Sequence, residues 1–270
     1  MLKKNSKKIQ SVVLAGGINT IILYEGYKPG YKALLEFKGK PSILYTIEAL
    51  INSKYVKPTV GVVGSRKDIE SLIKPFNYEF IQEGDTILSS IFNALHHFKG
   101  EDTILIANVD IPLIKSEAID EFLEECFKID ASYKENLFIS VVPKEKFSGE
   151  FNELKKATNR FRDIEVCHGN LFLVNPRLVD NKDAVDRINN IYNSRKSPIK
   201  SALATGLGVG ISYVVGVHML HILTMNQMAR IASKRFGIGF IPVVCSFPGI
   251  AIDADEPSDY NLICNILSEK

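Results

Sequence analysis

Residues 12–20 read VVLAGGINT, an apolar, β-branched run that breaks into two glycines and then turns polar. A buried strand that ends on bare backbone has two uses. It makes a tight turn, or it offers peptide N–H groups to something negatively charged, above all phosphate. Two glycines alone are more often just a turn, so the rest of the chain has to decide.

The pattern around this stretch alternates strand-like and helix-like runs. QSVVL is followed, after a long loop, by the helical PSILYTIEALINS, with Pro41 suited to a first helical position. TVGVVG (59–64) precedes RKDIESLIK, and YEFI precedes DTILSSIFNALHHF, with Asp85 as its expected N-cap. TILIA (103–107) precedes KSEAIDEFLEECFK, and LFISVV (137–142) closes the series. Strands joined by helices of this length pair in parallel through right-handed crossovers, and apolar runs of this kind belong to a sheet covered on both faces. Ligands of such sheets bind beyond the carboxyl ends of the strands. The glycines after VVL lie at one of those ends, which favours the phosphate reading. Beyond residue 143 the alternation falters. NLFLVNP and IGFIPVV return to strand, 176–235 reads mostly helical, and DADEPSDYNLICNIL ends as a helix with Asp255 as the preferred cap. The expectation is one domain over 1–270, with 144–235 as a helical excursion on the acceptor side.

Composition narrows the partners. Thirty-three Lys and Arg against thirty-one Asp and Glu give a net charge of +2, without the basic excess that nucleic-acid binding requires. The four cysteines form no CxxC and read as reduced thiols of a cytoplasmic protein. The basic start MLKKNSKK reads as a frayed tail, because the apolar stretch after it is too short for a signal peptide. Residues 202–225 carry no Asp, Glu, Lys or Arg. Their length suits a membrane span, but their glycines, histidines and position inside a domain favour core packing, with membrane contact as the alternative.

Three stretches carry chemistry: LAGGINT with the later KALLEFKGKP, NVDIPLI (108–114), and IDADEPSDYNL (252–262). A glycine turn, a lysine and paired carboxylates suit nucleotidyl transfer. Backbone N–H groups hold phosphate oxygens, the lysine neutralises charge at phosphorus, and carboxylates hold Mg²⁺. The acceptor's own oxygen attacks, so no protein nucleophile is needed.

Together these stretches resemble the nucleotidyltransferase family that includes molybdenum cofactor guanylyltransferase and the sugar-nucleotide pyrophosphorylases. The family opens LAGG-x-G-T-R-M followed by a lysine. Here Leu14, Ala15, Gly16, Gly17 and Thr20 are kept, Asn19 replaces Gly, Ile21 replaces Arg, and Lys32 takes the lysine's place after a longer loop (22–31). The resemblance implies a three-layer α/β sandwich with a mainly parallel sheet, of the nucleotide-diphospho-sugar transferase type. It implies a catalytic Lys32 and Asp110, and a Mg²⁺ cofactor on Asp110 and Asp253. Leu14, Ala15, Gly16, Gly17, Asn19, Thr20 and Lys32 would bind nucleotide, with Gly84, Asp85 and Ser89 near the base. His168, Gly169 and Asn170 would face the acceptor, with His168 in a loop. The substrates implied are an NTP and a phosphorylated small molecule, and the product released is pyrophosphate.

Asn19 is expected to adopt the left-handed conformation of the glycine it replaces. Losing the Arg at Ile21 removes a bidentate phosphate contact, which Lys28 in the extended loop would replace only in part. That loss leaves a nucleotide-binding regulatory protein as one alternative. The other is an NDP-sugar-dependent glycosyltransferase, against which the DAD at 253–255 comes late in the chain. His218 and His221 form H-x-x-H and read as structural, His96 and His97 as the end of a helix, and Arg195 with Lys196 as a surface patch or phosphate contact.

Overall fold

All six residues of the first strand, β1 (Ile9–Leu14), are buried. Val13 packs into one apolar cluster while Val12 and Leu14 pack into another, so the strand demands cover on both faces. The computed structural model describes residues 8–129, 135–151, 156–194 and 222–268. Most of the apolar segment 202–225, together with Arg195, Lys196, His218 and His221, lies outside them. Among the described residues no helix is long and apolar enough to cross a membrane.

After β1 come two small ladders, β2 (Ile18–Asn19) with β3 (Gly30–Tyr31), and β4 (Glu36–Phe37) with β5 (Lys40–Pro41). Then α1 (Ser42–Asn52), β6 (Val56–Gly64), α2 (Arg66–Ile73), β7 (Tyr78–Gln82), α3 (Ile87–His97), β8 (Ile104–Asn108), α4 (Ser116–Lys128) and β9 (Asn136–Pro143) alternate as the sequence predicts. The short β10 (Asn159–Arg160) and β11 (Glu165–Val174) precede α5 (Lys182–Ser194), α6 (Met225–Phe236), β12 (Gly239–Val244) and α7 (Pro257–Ser268).

The main sheet runs β12-β9-β11-β8-β1-β6-β7, with β10 beside β11. Its pairings are parallel except around β11, which is antiparallel to β8, β9 and β10. One cluster joins Val13, Val60 and Leu105 to Ile43, Ile47 and Phe122 of α1 and α4. The opposite cluster joins Val12, Leu14, Ile104 and Ile106 to Ala94 and Leu95 of α3. Three layers result, and each fully buried large side chain contributes about 1.5–3 kcal/mol of apolar transfer.

This order fixes where a site can form. From β1 the chain moves to β6 and β7 on one side, then returns to β8 on the other, so the direction of winding reverses between β1 and β8. Leu14 is level with Val63 on one neighbour and Asn108 on the other. The segments that follow β1, β7 and β8 therefore emerge together at the carboxyl edge, flanking a topological switch point.

Candidate active site

Beyond β1 the backbone of Gly16 and Gly17 crosses the mouth of a cavity of about 450 Å³, lined also by Leu14, Lys32, Gly84, Asp85, Asp110 and Asp253. Neither glycine has positive φ. A Cβ on Gly16 would reach the carboxylate end of Glu83, whereas one on Gly17 would come no closer than 3.7 Å to Lys32 Cδ. The bare backbone at Gly17 is thus not required by the turn itself. Ala15 is fully buried behind the turn, and Thr20 is exposed outside the cavity lining.

Asn19 departs from expectation. It is extended, paired with Gly30 in the small ladder, and not left-handed. Its Oδ1 accepts from the N–H of Ile21 at 2.9 Å, so the amide fixes the bend through its side chain instead. Ile21 and Lys28 are both exposed, and neither lines the cavity.

Opposite the glycine turn, α3 begins with a capping box: the Thr86 hydroxyl accepts from Ser89 N–H, and Ser89 Oγ accepts from Thr86 N–H. The cap is therefore Thr86 and not Asp85, and it occupies Ser89. The next residue, Ser90, lines the cavity and accepts from Gly84 N–H at 3.0 Å. The start of α3 faces the cavity through Thr86, Ile87 and Ser90, which adds a dipole favourable to anions.

The charged centre lies where three chain segments meet. Lys32 Nζ donates to Asp110 Oδ2 and to Asp255 Oδ1, both at 2.6 Å. The side chains of Lys32 and Asp110 are only 21% and 10% exposed, so water screens this pair far less than Asp255, which is 53% exposed. Burial would lower the ammonium pKa; the charge and hydrogen bond of Asp110, then those of Asp255, outweigh it and raise it. For Asp255, burial works upward and Lys32 overcomes it, holding the carboxyl below its ordinary value.

Asp253 faces a different partner. Lys156 Nζ donates to its carboxylate, to its carbonyl at 2.9 Å, and more distantly to Asp259 Oδ2 at 3.5 Å. Burial pushes the Asp253 carboxyl up against the opposing pull of Lys156, and the charges of Asp110 and Asp255 add to the rise. Oxygens of Asp110, Asp253 and Asp255 all lie within 4.8 Å of one another. Three clustered carboxylate oxygens form the donor set that hard divalent cations such as Mg²⁺ prefer, and the ammonium of Lys32 already occupies positive charge there. The residues fit such an ion.

Asp255 does not cap α7. Asp259, in the first turn of α7, instead reaches back with Oδ2 to accept from the N–H groups of Asp255 and Glu256, both at 3.2 Å. Asp255 is freed for Lys32, and sequence reasoning missed it because several acids crowd the start of this helix. Lys156 was missed as well, since no periodic pattern surrounds it.

Backbone contacts hold the late segment in place. Ala254 N–H donates to Asp110 O at 3.3 Å, Asn108 Nδ2 donates to Asn170 Oδ1 at 2.6 Å, and Asn170 Nδ2 donates to Ile250 O at 3.2 Å. Tyr24 of the long loop stacks on Tyr260 of α7, with centroids 4.6 Å apart. A second cavity, of about 460 Å³, opens on the Lys156 side, lined by Gly169, Asn170, Asp253, Asp255, Ser258 and Asp259 among others. His168 also lines it, but stands in β11 and not in a loop, its Nε2 2.8 Å from Asn159 Nδ2. Asp253 is common to both cavities.

Residues 11–146, half of the chain, match the model of the MobA-like NTP transferase domain. A probable molybdenum cofactor guanylyltransferase of Pyrococcus horikoshii is 32% identical over 120 residues, covering 44% of this chain and 56% of the relative. Its namesake in Thermococcus sibiricus is 31% identical over 116 residues, 42% and 54% of the two chains. The chain spans about half the length of the curated relatives it matches. A solved structure described as a hypothetical transferase from Thermus thermophilus superposes with a TM-score of 0.75 at 24% identity, over 94% of this chain and 99% of that one. At that identity the likeness shows a shared fold.

Proposed function

Because the chain belongs to the family of MobA-like NTP transferase domains, we propose that it transfers a nucleotidyl group from an NTP to a phosphorylated small molecule, releasing pyrophosphate. One observation carries this reading: Lys32 and three carboxylates stand together where a 450 Å³ cavity and a 460 Å³ cavity share Asp253. Two separate substrate spaces that meet at one charged centre suit a group transfer between two bound molecules.

In this reading the NTP lies in the first cavity, its phosphates against the Gly16–Gly17 backbone and its base toward Gly84, Asp85 and the start of α3. The acceptor enters the second cavity past His168, Gly169 and Asn170. An oxygen of its phosphate attacks the α-phosphorus; a new P–O bond forms as the bond to pyrophosphate breaks, and the departing group stays on the glycine turn. Lys32 neutralises charge gathering on the phosphoryl oxygens. Asp110, Asp253 and Asp255 would hold Mg²⁺, which when bound supplies the further positive charge that triphosphate chemistry needs. A cytoplasmic reaction would suit an NTP substrate, and the names of the relatives make GTP the first nucleotide to test.

A second reading rests on the D-x-D at 253–255, which despite its late position lends both carboxylates to the cluster. That pattern also suits an NDP-sugar-dependent transferase. The test is pyrophosphate release on incubation with each NTP and a mixture of phosphorylated metabolites. Release that falls below about a tenth in a folded Asp110→Ala variant is the expected result, since losing a catalytic metal costs several kcal/mol. No pyrophosphate from any NTP would overturn the proposal.

A further inference from the structure

The three carboxylates are neutralised by two lysines that belong to different cavities. Lys32 lines the nucleotide cavity and bridges Asp110 and Asp255; Lys156 lines the acceptor cavity and holds Asp253. All three hydrogens of the Lys156 ammonium have acceptors, namely the Asp253 carboxylate, the Asp253 carbonyl and the Asp259 carboxylate. As found, this ammonium has no donor left for a substrate. Its side chain is nonetheless only 16% exposed, at the wall of a cavity with room for a small molecule. Among the residues that line that cavity, Lys156 is the one lysine or arginine, against Asp253, Asp255, Glu256 and Asp259.

An arrangement of this kind has two charge states with the same total balance. With lysines on the carboxylates, neither cavity offers a free cation to an anionic substrate. With a divalent cation on the carboxylates, Lys32 loses both of its partners and Lys156 its nearest one, keeping only the distant Asp259 Oδ2 at 3.5 Å and the Asp253 carbonyl, and each ammonium has hydrogens free for an anionic substrate in its own cavity. We propose that Lys32 and Lys156 are resident counter-ions that leave the carboxylates when a divalent cation takes their place, and that Lys156 then binds the anionic group of the acceptor. The inference rests on the nucleotidyl-transfer reading for the identity of the two substrates, but not for the displacement itself. It assigns Lys156 as an acceptor-binding residue and makes binding ordered. The empty protein takes up a bare cation poorly, because each lysine must first be expelled, whereas a cation arriving with a triphosphate gives Lys32 a new partner at once.

The displacement is read directly from Mn²⁺ binding to the nucleotide-free protein, followed by paramagnetic resonance. Lys32→Met and Lys156→Met are each expected to bind Mn²⁺ at least about tenfold more tightly than the wild type, because a competing charge a few ångströms away has gone. Unchanged or weaker binding in either variant overturns the proposal. Lys32→Gln and Lys156→Gln, with thermal melts of all four, serve where a methionine variant fails to fold.

The acceptor role is read with inorganic phosphate as the probe, in Mn²⁺ and a non-hydrolysable NTP analogue that fills the first cavity. Lys156→Met should lose about tenfold in phosphate affinity while its affinity for the analogue stays as in the wild type, and Lys156→Arg should keep both. Phosphate affinity that survives Lys156→Met, or a loss confined to the analogue, overturns the assignment. An analogue that fails to bind the wild type counts against nucleotidyl transfer, and the Mn²⁺ comparison still decides the displacement.

Discussion

The backbone N–H of Lys32 donates to the carbonyl of Gly17 at 2.8 Å. Everything from Ile18 to Tyr31 is therefore looped out between two points that touch, and the lysine is positioned by the glycine turn itself. The β2–β3 ladder closes the neck of the loop, and the stack of Tyr24 on Tyr260 pins its far side to the last helix. A lengthened loop is tolerated here because closing a longer loop costs little extra entropy.

This coupling makes the two ends of the turn separable by mutation. Gly17 has negative φ, and a Cβ there would meet only Lys32 Cδ at an ordinary contact distance of 3.7 Å, so Gly17→Ala should move the melting temperature by less than about 2 °C. If the turn holds phosphates as proposed, the new methyl group stands in front of them and NTP affinity should fall roughly tenfold. Gly249 is the contrast, since a Cβ there would land on the carbonyl of Leu113, a backbone atom that cannot step aside. Gly249→Ala should cost about 1–3 kcal/mol by overpacking, well before any effect on affinity is considered. Calorimetric titration beside thermal melts checks both; a Gly17→Ala protein that melts early but binds NTP normally would reduce the motif to a turn.

The two acids at the start of α7 should part company in the same way. Asp255→Asn is expected to cut turnover by about tenfold or more while the helix content stays constant, because Asp255 does not cap the helix. Asp259→Ala should remove the bonds that tie the helix start to its first turn, costing about 1 kcal/mol, or roughly 2–4 °C in melting temperature for a chain of this size. Circular dichroism and pyrophosphate release on both variants decide the assignment, and the reverse pattern would return the capping role to Asp255.

Lys32 predicts an alkaline limit. Its folded pKa is raised above the ordinary 10.5, so the stability it adds is complete below 10.5 and drains away as pH climbs through the folded value. In metal-free buffer the wild type should lose up to about 1.4 kcal/mol per pH unit above 10.5 from this group, and Lys32→Met should lack that share of the slope. Denaturant titrations at intervals from pH 9 to about pH 11.5 measure it, the upper limit being set by the titration of other lysines. Parallel slopes in the two proteins would show that the ammonium gains nothing from its carboxylates.

Ile21 is 48% exposed just past the turn. Replacing it with Arg should leave stability within about 0.5 kcal/mol, as at most surface positions. If NTP is bound as proposed and a long guanidinium there reaches its phosphates from outside the cavity lining, kcat/KM for NTP is expected to rise about tenfold. Steady-state kinetics on Ile21→Arg test this. No gain in rate, in a protein that binds NTP, would favour the nucleotide-binding regulator over the enzyme.

Much of the fold is legible in the sequence. The continuous apolar runs around residues 13, 62 and 106 demand a sheet covered twice, and the helices between them leave parallel pairing as the solution. Lys32, Asp110 and Asp253 are named only through the family resemblance, and the structure brings them together, Lys32 Nζ 2.6 Å from Asp110 Oδ2 and an Asp253 oxygen within 4.8 Å of one of Asp110. The reversed direction of β11 was not legible, since an apolar run such as NLFLV reads the same either way and only the connections set its sense. Thr86 and Asp85 are adjacent and both able to cap; the choice falls on the one whose hydroxyl can share a box with Ser89. Asp255 and Asp259 offer the same ambiguity, and it is resolved by a lysine from the other end of the chain, which no local pattern reports. Lys156 lies in a charged, aperiodic stretch, where sequence carries composition but no direction.

Lys32 and Asp255 are separated by 223 positions. At a synthesis rate of about 5–20 residues per second, Lys32 is made roughly ten to forty-five seconds before its rim partner. In that interval β1, β6, β7 and β8 have all emerged, and the glycine turn is able to form. The charged centre remains open, however, until the last stretch arrives beside Asp110. On the proposed reading, competence toward an NTP therefore waits for the synthesis of Asp253 and Asp255, more than a hundred positions after Asp110.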